Sequence, residues 1–439
     1  MISTWKKRRA ARRAMKEIEN GGIELAIPNH FRCPISLDLM KDPVTLSTGI
    51  TYDRESIEKW IEGGRNVTCP ITNQVLRTLE PIPNHTIRKM IQDWCVDNKS
   101  YGIERIPTPR IPISSIEVLE IQSKISSASK DNDQESCRNS VVKIKTKLKE
   151  NERNKRTIVS NSTSTVLSSS FVDFSRNSSS WSQNAAVLEE ILSCLTLMFP
   201  LDQESKNLLG SSTASMNCLV WFLKSGDLSA RRNAVLVLKE VISSDSRKAE
   251  NLSRIEGSSE ALFKLIQEPI CPTATKASLL TVYAMVTSNS QHIISRFVEM
   301  GVVSLLIEML VDSEKSKCEK ALAILDRICS SDTGREKAYQ HSLTIPVLVK
   351  KIHRVSEIAT EFSVAILWKL CKNEKKNNVA VEALQVGAFQ KLLLLLQVGC
   401  GEKTKEKATE LLKLLNPYRE KLELECIDSA DFKDLKRPF

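Results

Sequence analysis

The chain has 439 residues, 41% hydrophobic and 26% charged, with a formal charge of +10; one compact core does not serve such a length, so several folding units or a quasi-linear repeat array are implied. Aromatic residues make up only 5%, which favours helices packed through aliphatic side chains over an aromatic-rich sandwich of strands. No apolar run approaches the ~20 residues of a membrane span, and twelve singly spaced cysteines read as reduced thiols of a cytoplasmic or nuclear protein, not as a disulfide framework.

Residues 1–24 form a basic arm around Lys6, Lys7, Arg8, Arg9, Arg12, Arg13 and Lys16, expected to be disordered and able to address the nucleus or an acidic surface. Trp5 is its one aromatic neighbour, which argues against nucleic-acid binding by base stacking. Residues 25–100 read as a small α+β module. Pro43 to Leu46 and Ile50 to Tyr52 predict a hairpin around Ser47-Thr48-Gly49, with Gly49 at the permissive turn position. Asp53 is expected to cap a helix over Arg54 to Ile61, with Ile57, Trp60 and Ile61 on one face. Asn84 is expected to cap a second helix whose face carries Ile87, Met90, Ile91 and Trp94.

Residues 101–113 contain Pro107, Pro109 and Pro112 and read as a stiff connector. Helical patterns resume over Ser114 to Ser127 and Gln134 to Glu150, and residues 114–420 read as one helical region followed by a tail at 421–439. The serine-dominated stretch 160–182 has a composition with little to bury, which predicts a mobile insert.

Within the helical region the apolar helix openings near Ala214, Gly257, Gly301, Thr344 and Gly387 follow one another at 43, 44, 43 and 43 residues, inside the roughly 40 to 47 range of armadillo and HEAT repeats. Each unit holds a matching apolar block, from Leu219 to Leu223, Leu262 to Ile266, Leu305 to Met309, Leu348 to Ile352 and Leu392 to Leu396. Small residues recur at Ala234, Ala277, Ala321, Ala365 and Ala408, where they are expected to open the next helix and let neighbours approach. The predicted fold class is therefore mainly α, with a small α+β module ahead of an all-α superhelix whose groove suits an extended protein chain.

A cross-braced zinc module needs about eight Cys and His ligands, with cysteines in pairs. Here Cys33-Pro34-Ile35-Ser36 and Cys69-Pro70-Ile71-Thr72 place a hydroxyl where the second cysteine of a pair would stand. No metal or other cofactor is expected, and the loops are expected to be braced by buried thiols and by Ser36, Asp38, Asp42, Asp53 and Thr72. The lysine-rich pieces 369–376 and 403–407 read as solvated helix faces.

The run from Phe31 to Val44, then Ser47 to Arg54, Ile57 to Trp60, Cys69-Pro70 and Ile82 to His85, is similar to the U-box of plant ubiquitin ligases, a RING-like fold without zinc. With the repeats behind it the chain resembles the plant U-box/armadillo class, and the basic start with Ser36-Leu37-Asp38-Leu39-Met40 resembles its elicitor-induced, defence-associated subgroup. The resemblance implies a RING/U-box-type E3 ubiquitin transferase. Ile35, Leu37, Trp60, Pro70 and Ile71 would form the groove for a ubiquitin-conjugating enzyme (E2), and Asn73 would stand where some members carry an Arg that bridges E2 and ubiquitin. Cys33, Pro34, Asp42, Pro43, Gly49, Tyr52, Asp53 and Ile57 would be structural. Cys33 is packed core in the family, so no covalent ubiquitin intermediate and no catalytic residue is expected. The implied partners are E2, ubiquitin, a protein substrate on the armadillo groove and a second copy of the chain, with autoubiquitination. The competing class is a non-catalytic armadillo adaptor with a degenerate U-box. Importin-like repeats resemble one another in a ladder of Trp and Asn, and Trp368 stands alone in that helix position.

Overall fold

The computed structural model describes residues 27–63, 67–101, 103–106, 112–243, 245–288, 291–373 and 378–429. Residue contacts divide the chain into two units, Met1–Pro112 and Ile113–Phe439. The basic arm, Pro107 and Pro109 lie outside the described residues.

In the first unit an antiparallel sheet of order β2-β1-β3 joins β1 (Pro43–Thr45), β2 (Thr51–Asp53) and β3 (Ile82–Pro83). Helix α1 (Arg54–Gly63) follows β2 and α2 (His85–Asp97) follows β3. The hairpin pairs Val44 with Tyr52, and Gly49 turns it at φ +78, a left-handed conformation that a Cβ would penalise. Asn84 does more than cap. Its Oδ1 accepts from Ile87 N at 3.0 Å, while its Nδ2 donates to Thr45 Oγ1 at 3.1 Å and Thr51 Oγ1 at 3.3 Å, so the start of α2 is locked to the hairpin. Cys33, Val44, Tyr52, Ile57, Cys69 and Ile91 are fully buried at the centre.

Two expectations for this unit change, and the ends of the connector are now seen. Asp53 Oδ1 accepts from Lys41 N at 2.8 Å and Asp42 N at 2.9 Å, so its carboxylate braces the strand entry in place of capping α1. Met90 is exposed, and Ile91 and Cys95 line the inward face of α2. Ile103 and Ile106 pack on the core of this unit while Ile113 belongs to the core of the next, so both ends of the expected connector are anchored by apolar burial.

The second unit is helical. From Gln203 onward it repeats a short helix, a middle helix and a long helix: Ser246–Arg254, Ser258–Gln267 and Pro272–Thr287 are one such set, and Gln291–Glu299, Val302–Val311 and Lys315–Ile328 the next. Gly257, Gly301 and Gly387 sit at φ of 80, 83 and 82 between the short and middle helices, where a left-handed residue ends one helix and redirects the chain into the other. The apolar blocks fall on the middle helices, except that Ile352 follows its helix Thr344–Lys351 as the C-terminal cap. The recurring alanines are all buried but lie within the long helices; their small side chains serve helix–helix contact along the length of each helix, not at its opening.

The serine-rich stretch is not a mobile insert. Thr163–Ser175 is a helix whose Leu167, Phe171 and Phe174 are buried at helical spacing. Its serines are small residues in close contact. Ser168 is fully buried, Ser164 Oγ hydrogen-bonds the Asp202 carboxylate, and Ser175 Oγ donates to Val172 O at 2.9 Å. Composition alone misread the segment because its periodicity decides burial. The expected tail is also partly helical, since the last long helix spans Glu402–Ser429. Ser168 Oγ has no hydrogen-bond partner among the described residues, so Ser168→Ala should change stability by less than about 1 kcal/mol. Ser168→Asp, which buries a carboxylate there, should cost about 3 kcal/mol or more, read as a lowered urea midpoint for loss of helical circular dichroism.

Candidate functional site

Two loops of the first unit fold alike. In Cys33-Pro34-Ile35-Ser36-Leu37 and Cys69-Pro70-Ile71-Thr72-Asn73 the cysteine carbonyl accepts from the fifth residue's N–H, at 2.8 Å from Leu37 and 2.9 Å from Asn73. Each cysteine N–H in turn donates to the carbonyl of the sixth residue, Asp38 at 2.9 Å and Gln74 at 2.8 Å. The fourth residue's hydroxyl then accepts from that sixth residue's N–H, Ser36 Oγ from Asp38 at 3.3 Å and Thr72 Oγ1 from Gln74 at 3.4 Å. Ser36 and Thr72 thus close by hydrogen bonds the turns that a zinc module closes by ligation. Leu37 and Asn73 adopt φ of 62 and 56; Asn tolerates this region, whereas Leu is strained in it by roughly 1–2 kcal/mol.

The two loops are moored to adjacent residues at the head of α1, the first to Asp53 and the second to Tyr52. Cys33 Sγ accepts from Asp53 N at 3.3 Å, and Cys69 Sγ is hydrogen-bonded to Tyr52 Oη at 3.0 Å and Thr48 Oγ1 at 3.4 Å. Burial by itself pushes the Cys69 thiol up, but hydrogen bonds from Thr48, Thr72 and Tyr52 together outweigh it and bring the thiol down to about 6. Burial, reinforced by that bond to Cys69, pushes Tyr52 up. Burial also raises the Asp53 carboxyl, against the pull of the Asp42 and Lys41 amides. Asp42 is gripped by Arg54 Nε at 2.7 Å and by the Arg88 guanidinium. Trp60 Nε1 donates to Thr68 O at 3.3 Å, which ties the side of α1 to the second loop.

The outcome is a rigid base with apolar tips. Leu37 is 42% and Ile71 54% exposed, while Ile35, Trp60 and Pro70 are half-buried. Asn73 is exposed beside them. Pro43, Tyr52 and Ile57 are buried and Pro34 is half-buried. Arg88 and Thr48 were not foreseen. The Asp42–Arg88 contact spans 46 residues, and nothing in local spacing announces it. Among the described residues, no three His, Cys, Asp or Glu side chains gather as a metal-ligand set.

On the second unit, polar side chains link successive long helices. Lys369 Nζ reaches Asp326 Oδ1 at 2.7 Å and Ser330 Oγ at 3.1 Å, so this lysine staples two repeats and is not a solvated face. Trp368 Nε1 donates to Glu410 Oε2 at 2.6 Å, and Lys372 Nζ lies 4.4 Å from its ring centroid. No single helix among the described residues is long and apolar enough to cross a membrane.

A small module whose paired loops are braced by hydrogen bonds, followed by three-helix repeats, defines the class of U-box proteins with armadillo arrays, and comparison agrees. The U-box domain family matches residues 27–100, and the family described as the plant U-box protein ARM repeat region matches residues 117–437. Among curated relatives, U-box domain-containing protein 21 of Arabidopsis thaliana is 50% identical over 418 residues, 95% of this chain and 94% of that protein. U-box domain-containing protein 20 of the same plant is 44% identical over 95% of this chain and 94% of its own length. E3 ubiquitin-protein ligase PUB22, also from Arabidopsis thaliana, is 37% identical over 89% and 94%. The chain belongs to the plant U-box/armadillo-repeat family of E3 ubiquitin ligases.

The thiol of Cys69 carries a pH dependence of stability. Its folded value, about 6, lies below the ordinary value of 9.0, so the folded state holds fewer protons between the two. Stability is then fully present above about pH 9 and is lost as pH falls towards 6. Hydrogen-exchange protection of the Val44 and Tyr52 amides, corrected for intrinsic rates, should rise from pH 6 to 8.5, and Cys69→Ser should flatten the slope.

Proposed function

We propose that the two loop tips and Trp60 form the cradle for a ubiquitin-loaded E2, and that the armadillo repeats hold the protein whose lysines receive ubiquitin. The observation that carries this reading is the double mooring of two equivalent loops to Tyr52 and Asp53, because it presents Ile35, Leu37, Pro70 and Ile71 on a frame that also fixes Trp60. Exposed aliphatic and proline surface around a half-buried tryptophan is the composition of an interface hot spot. Strain at Leu37 supports the same reading: a leucine held left-handed and left in solvent does nothing for folding, and such strain gathers at functional sites.

Catalysis here is positional. The thiols of Cys33 and Cys69 are committed to hydrogen bonds inside the fold, and the reacting thioester is the visitor's. The cradle's contribution is to orient that thioester towards a lysine and to shift its population towards a reactive arrangement. Asn73 can donate hydrogen bonds across the interface but lacks the charge and fork of an arginine, which sets a modest level of activation. Substrate ubiquitination and autoubiquitination follow, and likeness to the defence-associated subgroup extends the role to plant defence signalling.

Reconstitution with ubiquitin, activating enzyme and E2 should yield ubiquitin ladders. Trp60→Ala and Ile71→Ala should each weaken E2 binding, the former by about 2 kcal/mol or roughly 30-fold, and Asn73→Arg should speed lysine-induced discharge of the charged E2. Since Ile71 is 54% exposed, its truncation leaves the fold intact, and unchanged ladders from both truncations would sink the assigned cradle. Leu37→Gly separates strain from contact. It should stabilise the module by about 1 kcal/mol while lowering E2 affinity, measured by thermal unfolding and titration calorimetry on the same preparation.

A further inference from the structure

Two lysines drawn into the repeat unit, the buried Lys248 and the half-buried Lys391, end on oxygen. Lys248 Nζ reaches Lys206 O at 3.0 Å and Asn207 Oδ1 at 2.9 Å, and Lys391 Nζ reaches Val349 O at 2.7 Å. Lys351 is different. It closes the middle helix Thr344–Lys351, is 6% exposed, and the partner the structure gives its ammonium is the thiol of Cys318, with Nζ 3.6 Å from Sγ. Cys318 lies on the long helix Lys315–Ile328 of the preceding repeat and is fully buried; its Sγ also approaches Ser313 O at 3.2 Å, in the loop that opens that helix. A buried cation with no carboxylate beside it among the described residues is costly, and a thiol is a poor substitute if charge pairing is the whole purpose.

We propose that Cys318 and Lys351 are an oxidative modification site, at which a hydroperoxide links the two repeats through a covalent N–O–S bridge. In the first step the thiol sulfur attacks one hydrogen peroxide, is oxidised to the sulfenic acid and releases one water. In the second, the Lys351 amine, its ammonium proton given up, joins that sulfenic oxygen as a second peroxide takes two electrons and leaves as two waters. One thiol, one amine and two peroxides thus become one bridge and three waters. The geometry favours this product over a direct sulfur–nitrogen bond, because the inserted oxygen fills part of the gap and the two helices need close less of it. The bridge ties the long helix of one repeat to the middle helix of the next, and thiol reductant restores both residues.

The test uses the full chain. After exposure to hydrogen peroxide and proteolysis, mass spectrometry should find a peptide pair joined at Cys318 and Lys351, with the combined mass increased by one oxygen and decreased by two hydrogens. The pair should vanish on reduction and be absent from Cys318→Ser, Lys351→Arg and Lys351→Met, of which the last keeps chain length in an apolar form. The bridge should also raise the Tm of wild type after oxidation but not that of the variants. Recovery of the Cys318 and Lys351 peptides unlinked, under conditions that oxidise the partly exposed Cys271, Cys371 and Cys400, would overturn the proposal. So would a linked pair that lacks the added oxygen.

Discussion

The loops that carry Ile35 and Ile71 have almost no core of their own, and what holds them is the pair of sulfur atoms at their bases. Cys33 accepts a hydrogen bond from Asp53 N and Cys69 is hydrogen-bonded to Tyr52, and these two residues are neighbours in β2 and lead directly into α1. A single net hydrogen bond contributes about 1 kcal/mol, far less than a metal ligand, so the frame needs many members. Asp42 between Arg54 and Arg88, Asp53 under the Lys41 and Asp42 amides, and Asn84 across Thr45 and Thr51 supply them. Such a network strengthens as it is completed and is costly to leave partly satisfied, which makes the small module rigid despite its few buried side chains.

Rigidity of the base is what permits strain at the tip. Leu37 is tolerated at φ 62 because the bonds on either side, Cys33 N to Asp38 O and Leu37 N to Cys33 O, overdetermine its backbone. In the second loop the same position is Asn73, a residue that adopts this conformation with little strain. The two loops therefore share a backbone but differ in what they present: an apolar leucine on one side, a neutral amide donor on the other.

Much of this was legible in the residues. Gly49, the Asn84 cap and the 43-residue period rest on local rules, turn chemistry and helix periodicity, and the fold obeys them. What local rules do not reach is pairing across distance. Nothing near Asp42 points to Arg88, and Asp53, a good cap by sequence, is drawn to the Lys41 and Asp42 amides, which the pairing of Pro43 with Asp53 brings beside it. The helix Thr163–Ser175 was misread for a different reason. Serine is poor in hydrophobic content but small, and between Leu167, Phe171 and Phe174 its size admits close packing, which averaged composition hides.

In the repeat unit the period governs polar contacts as well as apolar ones. Lys248 meets Asn207 across 41 residues, Lys391 meets Val349 across 42, Trp368 meets Glu410 across 42 and Lys369 meets the Asp326 carbonyl across 43. These separations match one repeat, so each staple joins a unit to its neighbour and to nothing further away. Stability in such an array is a sum of unit and nearest-neighbour terms, and a change at one staple is felt by two units, not by the whole. The small module works the opposite way: its bonds close on one another, and loss of Asp42 would loosen both arginines at once. One chain thus combines a cooperative frame, suited to holding fixed loop tips, with a modular array in which the face of each repeat can vary without disturbing its distant neighbours.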